Sequence, residues 1–120
     1  MDARPLTAGL SVAPQITAAD VRDAAARGFG AIVCNRPDDE EPGQPAFAAI
    51  AAAAQALGLE ARHQPVVPGQ VTDADAAAFA RLLAELPGPV LAYCRSGARC
   101  ETLFVRSVTQ AAAADDASAC

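Results

Sequence analysis

Apolar positions along this chain alternate between short β-branched runs and longer stretches in which they recur every turn of a helix. Residues 6–13, LTAGLSVA, read as a short strand or bent hairpin. Thr17, with Asp20 in the capping-box position, opens a helix that should run to about Arg27 and stop at Gly28. FGAIVCN is a compact buried strand ending at Cys34, and the Pro-rich, acidic NRPDDEEPGQP behind it is a loop. Pro45 suits the first helical position of AFAAIAAAAQAL, with Gly58 just past that helix. LEARHQPVV alternates as a further strand. Thr72 and Asp75 repeat the cap signal for a helix over 73–86, whose Phe79, Leu82, Leu83 and Leu86 form an apolar stripe before PGP ends it. PVLAYC is the most hydrophobic strand, RSGAR a Gly-bearing turn, and CETLFVRSVTQAAAA a final helix carrying Leu103, Phe104 and Val108. This order predicts an α/β fold: three layers, a mostly parallel sheet of four to five strands, helices on both faces, and ligands beyond the strands' carboxyl ends. Cys34 and Cys94 both stand at such ends.

Length and composition narrow the class. At about 150 residues per domain, a chain of 120 makes one unit: residues 1–114 as a single catalytic domain and 115–120 as a frayed tail. Hydrophobic types reach 52%, but 32 residues are Ala, so much of that fraction is small and helix-favouring. No apolar run approaches the roughly 18 residues of a membrane helix, and MDARPLTAGL lacks the pattern of an export signal, so a cytoplasmic location without membrane contact is expected. The net charge is −5 and all nine basic residues are Arg, with no basic stripe, so nucleic acid is not an expected partner. Cys34, Cys94, Cys100 and Cys120 form no CxxC pair, and His63 is the only histidine, so no metal site or cofactor is expected. The cysteines read as reduced thiols that either pack or react.

One loop is dense in chemistry. YCRSGAR sets Cys94 at the end of a buried strand, then a turn, then Arg99 at a helix start. Successive N–H groups in such a turn, with the helix dipole behind them, make an anion-binding concavity, and Gly97 lets the backbone curl closely. Arg99 adds a fork for an oxyanion. The same positive environment favours thiolate over thiol, so Cys94 should be nucleophilic at neutral pH.

The stretches GLSVAPQITAADVRDAAARGFGAIVCNRPDDEEPGQP, PVVPGQVTDADAAAFARLL and GPVLAYCRSGAR closely resemble the bacterial β-lactamase-hydrolase-like, phosphatase-like domain family. The likeness spans about residues 6–108. It implies a dual-specificity-phosphatase-like fold with the Cys94 strand central, the Cys34 strand beside it and the Asn35–Arg36 loop bordering the pocket. Members occur alone or beside persulfide dioxygenase and sulfide:quinone reductase modules, which makes those enzymes candidate partners.

Sulfur transfer and phosphate-ester hydrolysis both use a thiolate in an anion cradle. Four residues separate Cys94 from Arg99, as in the CRSGxR loop of rhodanese-type sulfurtransferases, where cysteine phosphatases space them by one more. Tyr93 replaces the His that usually precedes a phosphatase nucleophile. PVVPGQ offers no general acid before Asp73, and Asp73 and Asp75 are explained by capping, although they are the acid candidates if the protein is a phosphatase. Cys100 stands where relatives carry Ser or Thr; it reads as a small packed residue or a resolving thiol.

These features favour a sulfurtransferase: Cys94 takes sulfane sulfur from thiosulfate or a persulfide and passes it to glutathione, another thiol or cyanide. The alternatives are a phosphatase working through a Cys94 phosphocysteine, and a non-catalytic oxyanion-binding or docking module. Arg99 and the loop residues Arg95, Ser96, Gly97 and Ala98 would bind the anion in each case. Arg36 either anchors substrate or pairs at the surface with Asp38 or Asp39, and Asn35 orients that loop. His63 reads as a packed mid-strand residue, Cys34 as packing and Cys120 as an exposed tail thiol.

Overall fold

The computed structural model describes residues 1–119, with side chains through residue 113. In chain order the elements are β1 (Arg4–Thr7), β2 (Leu10–Ala13), α1 (Ala18–Ala26), β3 (Ala31–Cys34), α2 (Phe47–Ala56), β4 (Glu60–His63), α3 (Asp73–Glu85), β5 (Val90–Tyr93) and α4 (Ala98–Ala119). The five strands form one sheet in the order β1-β2-β5-β3-β4. All pairings are parallel except β1 with β2, which form an antiparallel hairpin at one edge.

Strand pleat divides the core into two layers. Leu10, Val12, Ala31, Val33, Val90 and Ala92 face one side, under Phe79 of α3 and Leu103 of α4. Ala13, Ile32, Cys34, Leu91 and Tyr93 face the other, under Val21 and Ala24 of α1 and Ile50 of α2. Both sides of β3 and β5 are therefore apolar, which is why AIVC and VLAY lack polar alternation: a parallel strand covered on both faces has no solvated side. Gly30 permits the entry into β3, because a Cβ there would lie 2.6 Å from the carbonyl oxygen of Pro87.

Thr17 and Thr72 cap α1 and α3 with full capping boxes, each side chain accepting from the backbone N–H of Asp20 or Asp75 while that aspartate accepts from the threonine N–H. Elsewhere local structure departs from expectation. The first strand starts at Arg4, and residues 6–13 include the turn of the hairpin. Pro45 is outside α2: Ala46 is the N-cap, with no side-chain cap of its own, and Asp38 reaches across the preceding loop to accept from Phe47 N–H at 2.9 Å. The regular ladder of β4 stops at His63, since Pro65 has no N–H to donate; Gln64 and Val66 each donate one further bond to β3's exit, at 2.8 and 3.0 Å. His63 is thus at a strand end, not mid-strand, where its Nε2 lies 2.9 Å from Arg36 O and its ring stacks on Phe47. Helix α3 ends at Glu85 with Leu86 as its C-cap, and α4 continues through residues 115–119, which the sequence reads as tail. Cys120 lies outside the described residues. Among the described residues no helix is long and apolar enough to cross a membrane.

Candidate active site

Strand β5 delivers Cys94 to the carboxyl edge of the sheet, one residue beyond Tyr93, and the chain turns at once into α4. The pleat points Cys94 into the α3/α4 layer and Tyr93 into the opposite one. Tyr93, where a phosphatase would usually carry histidine, therefore faces away from the Cys94 side of the sheet.

Residues 95–98 close a tight ring over the sulfur. Gly97 N–H donates to Cys94 Sγ at 3.0 Å. Gly97 has φ 92°, in the left-handed region, so it turns its N–H inward at no steric cost. Gln15 N–H donates to Arg95 O at 3.3 Å and Cys94 N–H donates to Ala13 O at 3.3 Å, tying the entry to the ring to the end of β2 and the segment after it. Ser96 Oγ accepts from Ala98 N–H at 3.3 Å at the start of α4.

The sulfur has no exposed surface, and burial by itself would favour the neutral thiol. Hydrogen bonding reverses that. The Cys100 thiol, which burial holds protonated far above its ordinary range, donates to Cys94 Sγ, and the backbone N–H groups of Cys100, Ser96 and Arg99 assist. The Cys94 pKa is lowered to about 5. Cys94 is consequently a thiolate at neutral pH, and Cys94 and Cys100 are free thiols rather than a disulfide.

Arg99 is 8% exposed and lies beside this ring. Its NH1 and NH2 grip the Glu40 carboxylate at 2.7 and 2.8 Å, and NH1 also donates to Val66 O at 2.9 Å. Glu40 comes from the acidic loop after β3, and the Arg99 guanidinium holds its carboxyl below the usual range against the opposing effect of burial. A carboxylate at the nucleophile loop was not legible in the sequence, where only residues after β4 suggested an acid. The pairing joins positions 59 residues apart, and nothing local in DDEE distinguishes Glu40 from its neighbours.

Arg36 is 1% exposed, so the expected surface pairing with Asp38 or Asp39 does not occur. Its Nε donates to Glu40 Oε1 at 2.9 Å, its NH2 to Glu41 Oε1 at 2.9 Å and its NH1 to Gln15 Oε1 at 3.0 Å. These contacts tie Arg36 to Glu40, Glu41 and Gln15. Asn35 is fully buried, and its amide donates to Gln64 O at 3.1 Å, joining the exits of β3 and β4. Arg95 is the outward member of the set, its side chain 67% exposed and 3.4 Å from Glu41.

A recess of about 580 Å³ borders the nucleophile loop, lined by Arg95, Ser96, Ala98 and Arg99 together with Pro68, Gly69, Val71, Thr102 and Arg106. Asp75 is outside this lining and engaged in its capping box, while Asp73 lies 3.5 Å from Arg106 at the α3/α4 surface. Cys34 points into the α1/α2 layer, donates to Arg36 O at 3.2 Å, and is pushed up in pKa by burial. Among the described residues no cluster of His, Cys, Asp and Glu is arranged to hold a metal ion.

Known proteins resemble this chain. A beta-lactamase hydrolase-like protein of Agrobacterium fabrum is 43% identical over 96 residues, covering 80% of this chain and 22% of that protein. The Xylella fastidiosa counterpart is covered over 19%, so the chain spans about a fifth of the length of these curated relatives. A candidate phosphatase from Neisseria meningitidis superposes with a TM-score of 0.80 at 40% identity, over 83% of this chain and 71% of that one. The core catalytic domain of a PP-IP phosphatase from S. cerevisiae, solved with citrate, gives 0.63 at 11% identity over 81% and 57%. That likeness establishes the cysteine-phosphatase fold. The phosphatase-like family and the Neisseria relative back phosphate-ester hydrolysis, the alternative, better than sulfur transfer. With residues 2–113 matching its model, the chain belongs to the family of the beta-lactamase hydrolase-like protein, phosphatase-like domain.

Proposed function

We propose that this domain is a cysteine-dependent phosphatase acting on phosphate monoesters. The observation that carries the reading is the Cys94 sulfur, which accepts a hydrogen bond from Gly97 N–H at the start of α4 and has its pKa lowered to about 5. A thiolate stabilised by inward backbone donors stands where the same donors can hold phosphoryl oxygens. In the first step Cys94 Sγ attacks phosphorus; an S–P bond forms, the P–O bond to the leaving group breaks, and the loop amides with Arg99 balance the charge on the non-bridging oxygens. In the second, water attacks phosphorus, the S–P bond breaks, and inorganic phosphate leaves with the thiolate restored. A phenolate is a good enough leaving group to depart without a proton donor, so aryl phosphates are the appropriate probe. The citrate held by the yeast phosphatase domain supports a small anionic ligand.

The test is hydrolysis of p-nitrophenyl phosphate by the wild type and by Cys94→Ser. Turnover that vanishes in the variant supports the reading; turnover equal in both, or none in either, overturns it. The four-residue spacing of Cys94 and Arg99 and the thiol of Cys100 favour a second reading, a Cys94 persulfide formed from thiosulfate and passed to glutathione. Intact-mass analysis after thiosulfate treatment decides it: one added sulfur atom that requires Cys94 supports sulfur transfer, and an unchanged mass excludes it.

A further inference from the structure

We propose that Glu40 is a positioning residue that sets the free edge of Arg99 toward the oxyanion, with buried Arg36 as its anchor; this rests on the phosphatase reading for the identity of the anion. A guanidinium carries five N–H donors in a fixed plane, grouped into an end-on edge, NH1 with NH2, and a side-on edge, Nε with the second hydrogen of NH2. Glu40 takes the end-on edge with both carboxylate oxygens, at 2.7 and 2.8 Å, and Val66 O takes the remaining NH1 hydrogen at 2.9 Å. Three donors are used. Among the described residues the two side-on donors have no partner, and they are the parallel pair that matches two oxygens of a phosphate. Arg99 lines the recess with Arg95, Ser96 and Ala98, and the proposal places this free edge on that wall.

Glu40 cannot swing away freely. Its Oε1 also accepts from Arg36 Nε at 2.9 Å, and Arg36 is fixed in turn by Gln15 and Glu41. The carboxylate is therefore clamped between two guanidinium groups, one structural and one facing the recess. Were Glu40 instead a plug standing in for substrate, removing its carboxylate would tighten phosphate binding. A proton donor would in addition have to be protonated, which two flanking guanidinium groups oppose.

The experiment compares wild type, Glu40→Gln and Glu40→Asp. Glutamine keeps the volume but replaces one acceptor with a donor aimed at Arg99; aspartate keeps the charge but cannot span both arginines. Inorganic phosphate binding is followed by calorimetry, and kcat and KM are measured for several aryl phosphates. The expected result is phosphate affinity and kcat/KM falling about tenfold to a hundredfold, by equal factors for good and poor phenol leaving groups. The Cys94 titration, read from thiolate absorbance, should hold its midpoint. Phosphate binding that is unchanged or tighter in the variants overturns the proposal, the tighter result identifying Glu40 as a plug. A loss that grows with leaving-group basicity also overturns it, in favour of proton donation. Should Glu40→Gln not fold, as judged by circular dichroism, Glu40→Asp carries the same test. Phosphate binding that depends on Glu40 without ester hydrolysis would retain the positioning role and discard the phosphatase reading; hydrolysis indifferent to Glu40 would do the reverse. An absence of phosphate binding in the wild type would overturn both.

Discussion

Strands β3 and β5 lie side by side in parallel, each leads to a cysteine at the same edge of the sheet, and the two thiols titrate in opposite directions. Cys34 is pushed up by burial, while Cys94, just as buried, is lowered to about 5. Register accounts for part of the difference. Cys34 pairs with Tyr93, so Cys94 stands one residue further on and points to the other face. The segment leaving each strand accounts for the rest. After Cys94 the chain turns directly into a helix, and Gly97 N–H points back at the sulfur. After Cys34 comes the acidic loop, and burial outweighs the hydrogen bonding that would lower the pKa of this thiol. Position at a strand end therefore does not by itself lower a thiol's pKa; the donors around the sulfur do, Cys100 first and then the backbone N–H groups of Cys100, Ser96 and Arg99.

The largest effect that could break this contrast is loss of the wrong thiol. Cys94→Ser should reduce aryl phosphate hydrolysis on the order of 10⁴-fold or more, whereas Cys34→Ser should preserve both turnover and the acidic limb of the kcat/KM–pH profile. An equal loss from Cys34→Ser would end the comparison. That limb should have its midpoint at about 5, because the depressed Cys94 pKa leaves a thiolate above that pH and a thiol below it. Next in size is Gly97→Ala. A residue with a Cβ at φ 92° is strained by about 1–2 kcal/mol, and the N–H aimed at the sulfur should turn away. Losing a hydrogen bond to a charged group should move the limb upward by about one to two pH units. The smallest effect sharpens the contrast with an ordinary helix start. Thr72→Ala removes the side-chain cap of α3 and should cost about 1 kcal/mol in urea unfolding while leaving the pH limb in place. Helix α3 caps its start with Thr72, whereas Gly97, just before α4, turns its N–H toward the Cys94 sulfur.

Legibility in the sequence divides along the line between local and distant interactions. AIVC and VLAY declare buried parallel strands by composition, and the T-x-x-D pairs at Thr17 and Thr72 declare helix starts, because each device lies within a few residues. The nucleophile loop is legible for the same reason, since sulfur, glycine and helix start are contiguous. The acidic loop is not. NRPDDEEPGQP looks solvated, and only the tertiary structure shows that Arg36 is buried, that Glu40 reaches Arg99, and that Asp38 caps α2. The short β4 and the place of Pro45 outside α2 are lesser misreadings, each at a proline that acts one or two residues from where a pattern places it.

The outer edge of the sheet carries a consequence for a domain whose relatives are several times longer. Strand β4 has one unpaired side, a latent template on which a neighbouring polypeptide could add a strand. It is only four residues long, Glu60 and Arg62 are exposed along it, and Arg62 bridges to Glu60 at 3.0 Å. A short, charged rim of this kind resists edge-to-edge pairing between copies, which lets such a unit be crowded, tethered or duplicated without this strand templating aggregation.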